Sequence, residues 1–214
     1  MRVKIDLVND FPTQEVLDGE YDLLINGFNC CEKVKYSKEL KGETARLKHL
    51  ASLSQKHEKT IVSAFDTDNF GIIRHSAGVF DNGKLLGISD MTVSYEDSGY
   101  MPGGGGKLYD VKCGKIAVAV GDDIYSFGLF KSFAVCGAEI TVAICNQKKK
   151  EINSILIRAY SYLLGVPTVL IFDGGAYLSN VNGDLTVATK DTDIIEIEPY
   201  TEFILKTSKL RLKK

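Results

Sequence analysis

Polar and apolar residues alternate through Met1-Arg2-Val3-Lys4-Ile5-Asp6-Leu7-Val8, the period of two that marks a first strand. Tyr21-Asp22-Leu23-Leu24-Ile25 predicts a second strand, reached by a connection through Pro12. From Ser37 to about Lys56, Leu40, Leu47, Leu50, Ala51 and Leu53 recur at helical spacing with Lys and Glu between them. Thr60 to Phe65 is a continuous apolar strand, and the polar run Asp66-Thr67-Asp68 behind it reads as a hairpin loop. Gly71 to Phe80 and Lys84 to Ile88 flank Asp81-Asn82-Gly83, a strong hairpin turn because Asn and Gly tolerate positive φ. Further strands are expected over Leu108–Val111, Lys115–Val120, Glu139–Ile144, Val166–Phe172, Ala176–Leu178, Leu185–Ala188 and Asp193–Ile197, with a turn at Asn182-Gly183-Asp184. Helices are expected over Tyr125–Val135 and Glu151–Leu164. Hairpins interleaved with helices that cross between strands imply mixed sheets covered by helices, and this many apolar strands suits two sheets packed face to face.

Composition narrows the function classes. The chain has 214 residues, 44% hydrophobic and 25% charged, which excludes a mainly disordered protein. No Pro/Ser-rich linker and no repeat divides it, so one domain is expected over residues 1–200, with 201–214 as a tail. Lys and Arg number 26 against 28 Asp and Glu, a net charge of −2 that offers no phosphate-gripping surface. The short basic clusters Lys148-Lys149-Lys150 and Lys206 to Lys214 read as solvated faces or a frayed end, so no nucleic-acid partner is expected. No apolar run reaches the roughly 20 residues of a membrane span, and the first residues lack a signal-peptide block. The five cysteines (Cys30, Cys31, Cys113, Cys136, Cys145) are odd in number and two are adjacent, which suits free thiols in a reducing, cytoplasmic compartment.

Several motifs invite chemistry and fail on spacing. Pro102-Gly103-Gly104-Gly105-Gly106-Lys107 has the glycines of a phosphate loop, but Leu108 stands where Ser or Thr would hold Mg²⁺, and a strand follows instead of a helix; a flexible turn is the better reading. His49, His57 and His75 lack the close Cys or carboxylate spacing of a metal site, and no metal or other cofactor is expected. Phe65-Asp66-Thr67-Asp68 together with Gly121-Asp122-Asp123 resembles the nucleophile and Mg²⁺-binding motifs of haloacid-dehalogenase-like phosphatases. Against it, the segment after Asp68 leads directly into another strand.

The longest coherent pattern runs from Leu86 to Phe172. Gly114-Lys115-Ile116-Ala117-Val118-Ala119-Val120-Gly121-Asp122-Asp123, a helix, then Ala134-Val135-Cys136-Gly137-Ala138-Glu139-Ile140 resembles the nucleophile region of the carbon–nitrogen hydrolase (nitrilase) superfamily. Leu47 to Glu58 ahead of TIVSAF, Ser76 to Gly83, Glu96 followed by Pro102-Gly103, Arg158-Ala159, and Ser179-Asn180 to Ile197 fall in the family's order. The resemblance implies a single-domain, four-layer α-β-β-α sandwich. It also implies amide or nitrile hydrolysis by a Glu-Lys-Cys set: the Cys attacks carbon, the Glu moves the proton, and the Lys holds the oxyanion.

Carried over by position, that set is absent. The Cys slot is Gly121, the Lys slot falls on Met91 or its neighbour Asp90, and the Glu slot falls on Phe28; the Pro-Glu expected in the next helix reads Phe127-Gly128. The helix between the first two strands is reduced to Asn9–Glu20. The principal expectation is a nitrilase-type protein without nitrilase chemistry, whose cleft, lined by Asp122, Asp123, Tyr125 and Asn146, binds a small polar ligand. One alternative moves the nucleophile to Cys145, or to Cys30 beside Glu32, with Lys107 or Lys148 as oxyanion partner; free cysteines are more often buried small hydrophobes. A homodimer across the helices Tyr125–Val135 and Glu151–Leu164 is also expected, with Phe127, Phe130 and Phe133 either at the interface or in the core.

Overall fold

The computed structural model describes residues 1–7, 12, 14–28, 31, 33–95, 99–148, 151–188 and 194–198. Its elements run β1 (Arg2–Asp6), α1 (Gln14–Leu17), β2 (Leu23–Asn26), β3 (Val34–Lys35), α2 (Tyr36–Lys41), α3 (Arg46–Lys56), β4 (Thr60–Asn69), β5 (Ile72–Asp81) and β6 (Lys84–Asp90). There follow β7 (Leu108–Val111), β8 (Gly114–Val120), a 3₁₀ turn (Gly121–Tyr125), α4 (Phe127–Val135), β9 (Ile140–Lys148), α5 (Glu151–Leu164), β10 (Thr168–Asp173), β11 (Gly175–Ser179), β12 (Leu185–Ala188) and β13 (Ile194–Glu196).

The first sheet has the order β13-β1-β2-β4-β5-β6, with β3 paired to β4. The second runs β12-β11-β10-β9-β8-β7. In each, three central strands are parallel, β1-β2-β4 and β8-β9-β10, and antiparallel strands flank them. Both faces of the central strands are covered, which is why they read as near-continuous apolar runs. Alternate residues divide between two cores. Val3, Ile5, Leu23, Ile25, Val62 and Ala64 of one sheet meet Ile116, Val118, Val120, Val142 and Ile144 of the other. Leu24, Ile61, Phe65 and Phe80 face outward under α3, while Ala117, Ala119 and Ala143 face α4 and α5. The result is one domain of four layers, helix–sheet–sheet–helix, as the sequence predicts.

Three local expectations change. The helix expected over residues 37–56 is two helices, because Gly42 takes a left-handed φ of +74° and ends α2 with its N–H on the carbonyls of Lys38 and Glu39. The 125–135 helix is preceded by a 3₁₀ turn and begins at Phe127. Asp66-Thr67-Asp68 is strand, not loop: β4 continues to Asn69, and the hairpin turns at Phe70-Gly71, both with positive φ (52° and 88°). Phe is an uncommon residue in that conformation, so the composition hides the turn. At Asn82-Gly83, where the signal was strong, both residues also have positive φ. In the Asn9–Glu20 segment only a four-residue helix is seen, and residues 8–11 and 13 lie outside the described part, as do 199–214.

Of the three phenylalanines of α4, Phe130 and Phe133 are buried within the chain among Ala119, Ile157 and Tyr160, and Phe127 is half-exposed. Phe133→Ala is expected to lower stability by about 3–5 kcal/mol, read from chemical denaturation, because the ring leaves a cavity its neighbours cannot fill.

Candidate functional site

In parallel strands the carboxyl ends share one side, so β2, β4, β8 and β9 deliver their following residues to one end of the paired sheets, here called the mouth. Gly121 leaves β8 through a sharp elbow at φ +59°, a conformation that disfavours any side chain. A Cβ built there would lie 2.6 Å from the sulfur of Met91. Met91, only 2% exposed, follows β6 and accepts the Asp122 N–H at its sulfur (3.5 Å). Phe28, half-buried beyond β2, packs on the inter-sheet core. The three positions where the resemblance implies Glu, Lys and Cys thus hold two apolar side chains and a bare backbone.

The glycine run has a structural use. Gly103 N–H donates to the Met91 carbonyl (2.9 Å), and Gly104 N–H to Asp90 Oδ2 (3.2 Å). Side chains at Gly103 or Gly105 would collide with Asp90 and Thr92. The segment is a close-packed strap along the end of β6, where only glycine lets two backbones approach this closely, rather than the flexible turn expected. Lys107 is spent on the Ile88 carbonyl (2.8 Å).

Asp122 and Asp123 anchor the loop after β6. Asp123, 1% exposed, accepts Thr92 N–H (2.8 Å), Thr92 O–H (2.6 Å) and Val93 N–H (3.2 Å) on Oδ1, and Val120 N–H (3.2 Å) on Oδ2. Burial pushes its carboxyl above the ordinary range while these donors pull it back. Asp122 accepts the Tyr95 N–H (3.1 Å), and Tyr125 donates to Asn153 (3.4 Å). Asp68 caps the hairpin tip by accepting Gly71 N–H (2.9 Å). Among the described residues no group of three or more His, Cys, Asp or Glu is placed to hold a metal, and the phosphatase reading gains no support.

Cys145 lies on the helix-facing side of β9 with Ala143, in the core that includes Phe130, Phe172 and Tyr177. Its neighbour Asn146 therefore points the other way, into the mouth. Cys30, Glu32 and Glu96 lie outside the described residues, as does the Lys148 side chain.

What Asn146 meets there was not foreseen from the sequence. Asp66 and His75 are direct cross-strand partners in the β4–β5 hairpin, on the face of Ala64 and Ala77. His75 Nδ1 donates to Asp66 Oδ1 (2.7 Å), Tyr100 Oη donates to Asp66 Oδ2 (2.9 Å), and Asn146 Nδ2 donates to His75 Nε2 (3.1 Å). Tyr100 stacks on the imidazole (centroids 3.5 Å apart, planes 18°) and Phe28 meets it edge-on at 4.9 Å. The signal that could have found the pair is the register: a two-residue turn at Phe70-Gly71 places Asp66 opposite His75 by counting.

At the other end of the sheets a groove of about 870 Å³ is lined by charges of both signs. Arg2 pairs with Glu20 (3.1 Å), Lys112 with Glu58 (3.7 Å), and Lys59 donates to the Tyr21 carbonyl (2.6 Å).

The fold and the elbow at Gly121 define a class, the nitrilase-type α-β-β-α sandwich. Solved structures with this fold match nearly the whole chain. Saccharomyces cerevisiae Nit3, a member of branch 10 of the nitrilase superfamily, superposes with a TM-score of 0.73 at 14% identity, covering 100% of this chain and 94% of that one. A carbon–nitrogen hydrolase from Helicobacter pylori gives 0.69 at 15% identity, covering 91% and 87%. An amidase of the nitrilase superfamily from Nesterenkonia gives 0.71 at 15% identity, covering 91% and 88%. Another structure of that amidase carries the acetamide moiety of fluoroacetamide on its active-site cysteine. No protein-family profile and no curated protein sequence matches the chain. At these identities the likeness is one of fold.

Gly121→Ala is expected to destabilise the chain by about 1–3 kcal/mol, from the left-handed backbone and the Met91 contact together. In a double-mutant cycle with Met91→Ala, the steric part is expected to vanish and the backbone part to remain.

Proposed function

We propose that this chain is a nitrilase-fold protein that has lost amide and nitrile hydrolysis and uses its mouth to bind a small polar ligand. One observation carries the reading: the elbow residue is Gly121, with the Met91 sulfur against the space a nucleophilic side chain would need. Covalent attack on an amide carbon needs a nucleophile and a group to hold the oxyanion. Gly121 offers no nucleophile, and Met91 offers neither a charge nor a strong donor. Asn146, the Asp66–His75 pair and Tyr100 supply polar groups for a ligand at the same mouth. None of the four described cysteines (Cys31, Cys113, Cys136, Cys145) is in a disulfide, which supports a reducing, cytoplasmic setting; no helix among the described residues is long and apolar enough to cross a membrane.

The test is ammonia release from a panel of amides, N-carbamoyl amines and nitriles, with Cys145→Ala beside the wild type. Silence throughout is expected. Turnover that disappears in Cys145→Ala would instead establish a displaced nucleophile.

A second copy of the chain is the partner we propose for the outer face of α5. Ile152, Ile155, Ala159, Tyr162 and Leu163 form an i, i+3, i+7, i+10, i+11 stripe there, and Ile155 and Leu163 are 53% and 60% exposed. The helix carries one acid and one base, Glu151 and Arg158, so two copies packed antiparallel meet no like-charge barrier. Sedimentation velocity is expected to show a concentration-dependent dimer that Ile155→Glu converts to monomer; a wild-type monomer at all concentrations removes the proposal.

A further inference from the structure

We propose that Asp66 and His75 form a working general-base pair that hydrolyses oxygen esters at the mouth. This rests on the reading that the mouth is the chemically open end of the fold, and it replaces the missing set with residues from other strands.

The arrangement is that of an oriented base. The carboxylate of Asp66 accepts a hydrogen bond from Nδ1–H of His75, which fixes the tautomer that leaves the lone pair on Nε2. Tyr100 holds the second carboxylate oxygen, so the carboxylate cannot rotate away. The ring is fixed between the stacked Tyr100 and the edge of Phe28, and His75 is 5% exposed. Its Nε2 touches only one described polar group, the exposed side chain of Asn146. An exposed amide turns aside at little cost, and a water molecule can then take its place on Nε2. A half-buried carboxylate held by two donors, a fixed imidazole and a covered but displaceable lone pair are more than the core requires. An apolar residue at 75 would serve the inter-sheet packing without a buried polar network to satisfy.

In the proposed step, Nε2 takes a proton from that water as its oxygen bonds to the ester carbonyl carbon. The carbonyl oxygen, now negative, accepts a hydrogen bond from the displaced Asn146 Nδ2. The intermediate collapses with cleavage of the bond to the leaving oxygen, which takes the proton from Nε2. Ester and water give acid and alcohol, and His75 returns to its starting state.

The substrate class follows from what the mouth lacks. Expelling an amine needs its nitrogen protonated and the oxyanion strongly held, and here Met91 stands in the cation's slot while the Tyr100 hydroxyl is engaged by Asp66. A phenol or enol oxygen leaves with far less help. Esters of such acidic alcohols are therefore the substrates, and Asp66 acts as a positioning residue for His75.

Initial rates of 4-nitrophenyl acetate hydrolysis by the full chain test this, comparing wild type, His75→Gln and His75→Gly. His75→Gln is expected to lower the rate about 100-fold, within the usual range for loss of a general base. His75→Gly vacates a slot between Tyr100 and Phe28, so added imidazole is expected to restore its rate with saturation. Equal rates for wild type and His75→Gln, or an imidazole effect that only rises linearly as it does in free solution, would overturn the proposal. If His75→Gly loses its near-UV circular dichroism, the Gln variant decides. Ester inactivity beside a silent amide panel overturns this step alone; amide turnover overturns the loss of nitrilase chemistry instead.

Discussion

The stacking of two sheets, each offering a row of β-branched and small residues to the other, is the constraint on which everything else rests. Val62, Ala64, Ala77 and Val79 against Val118, Val120, Val142 and Ile144 are almost fully buried, and this contact fixes the height at which the strand ends of one sheet face those of the other. A strand shifted by one residue would turn its apolar set outward, so the register is not negotiable. The mouth inherits its geometry from that registration.

Within this frame the chain turns sharply after β8 with no side chain at the turn. Gly121 keeps the sharp turn, and glycine adopts it without the strain another residue carries. Asp123 collects four donors beneath it and ties Thr92 and Val93 to the elbow, and the glycine strap closes over Met91. Together these elements hold a methionine against bare backbone.

Residues that reach the mouth come from different parts of the chain: Phe28 from just after β2, Asp66 and His75 from one hairpin, Tyr100 from just before the glycine strap, and Asn146 from β9. The pairing of Asp66 with His75 is local to a hairpin. Only the Asn146 contact crosses between sheets, and it makes the polar cluster a bridge as well as a site.

The sequence by itself determined the layers, since period-two strands with two buried faces and amphipathic helices between them have few other solutions. It determined the Asn82-Gly83 turn, and it places Phe28, Met91 and Gly121 at the positions where the resemblance implies Glu, Lys and Cys. It misplaced Asp66-Thr67-Asp68 because Phe70 takes a backbone conformation that its side chain disfavours, and local propensity carries no trace of that. It left Cys145 open as a nucleophile because one residue of parity decides which face of β9 it occupies. His75 and Asn146 are 71 residues apart and in different sheets. No periodicity links them; only the stacking of the sheets brings an amide to that imidazole, so the tertiary structure alone decided what lies at the mouth.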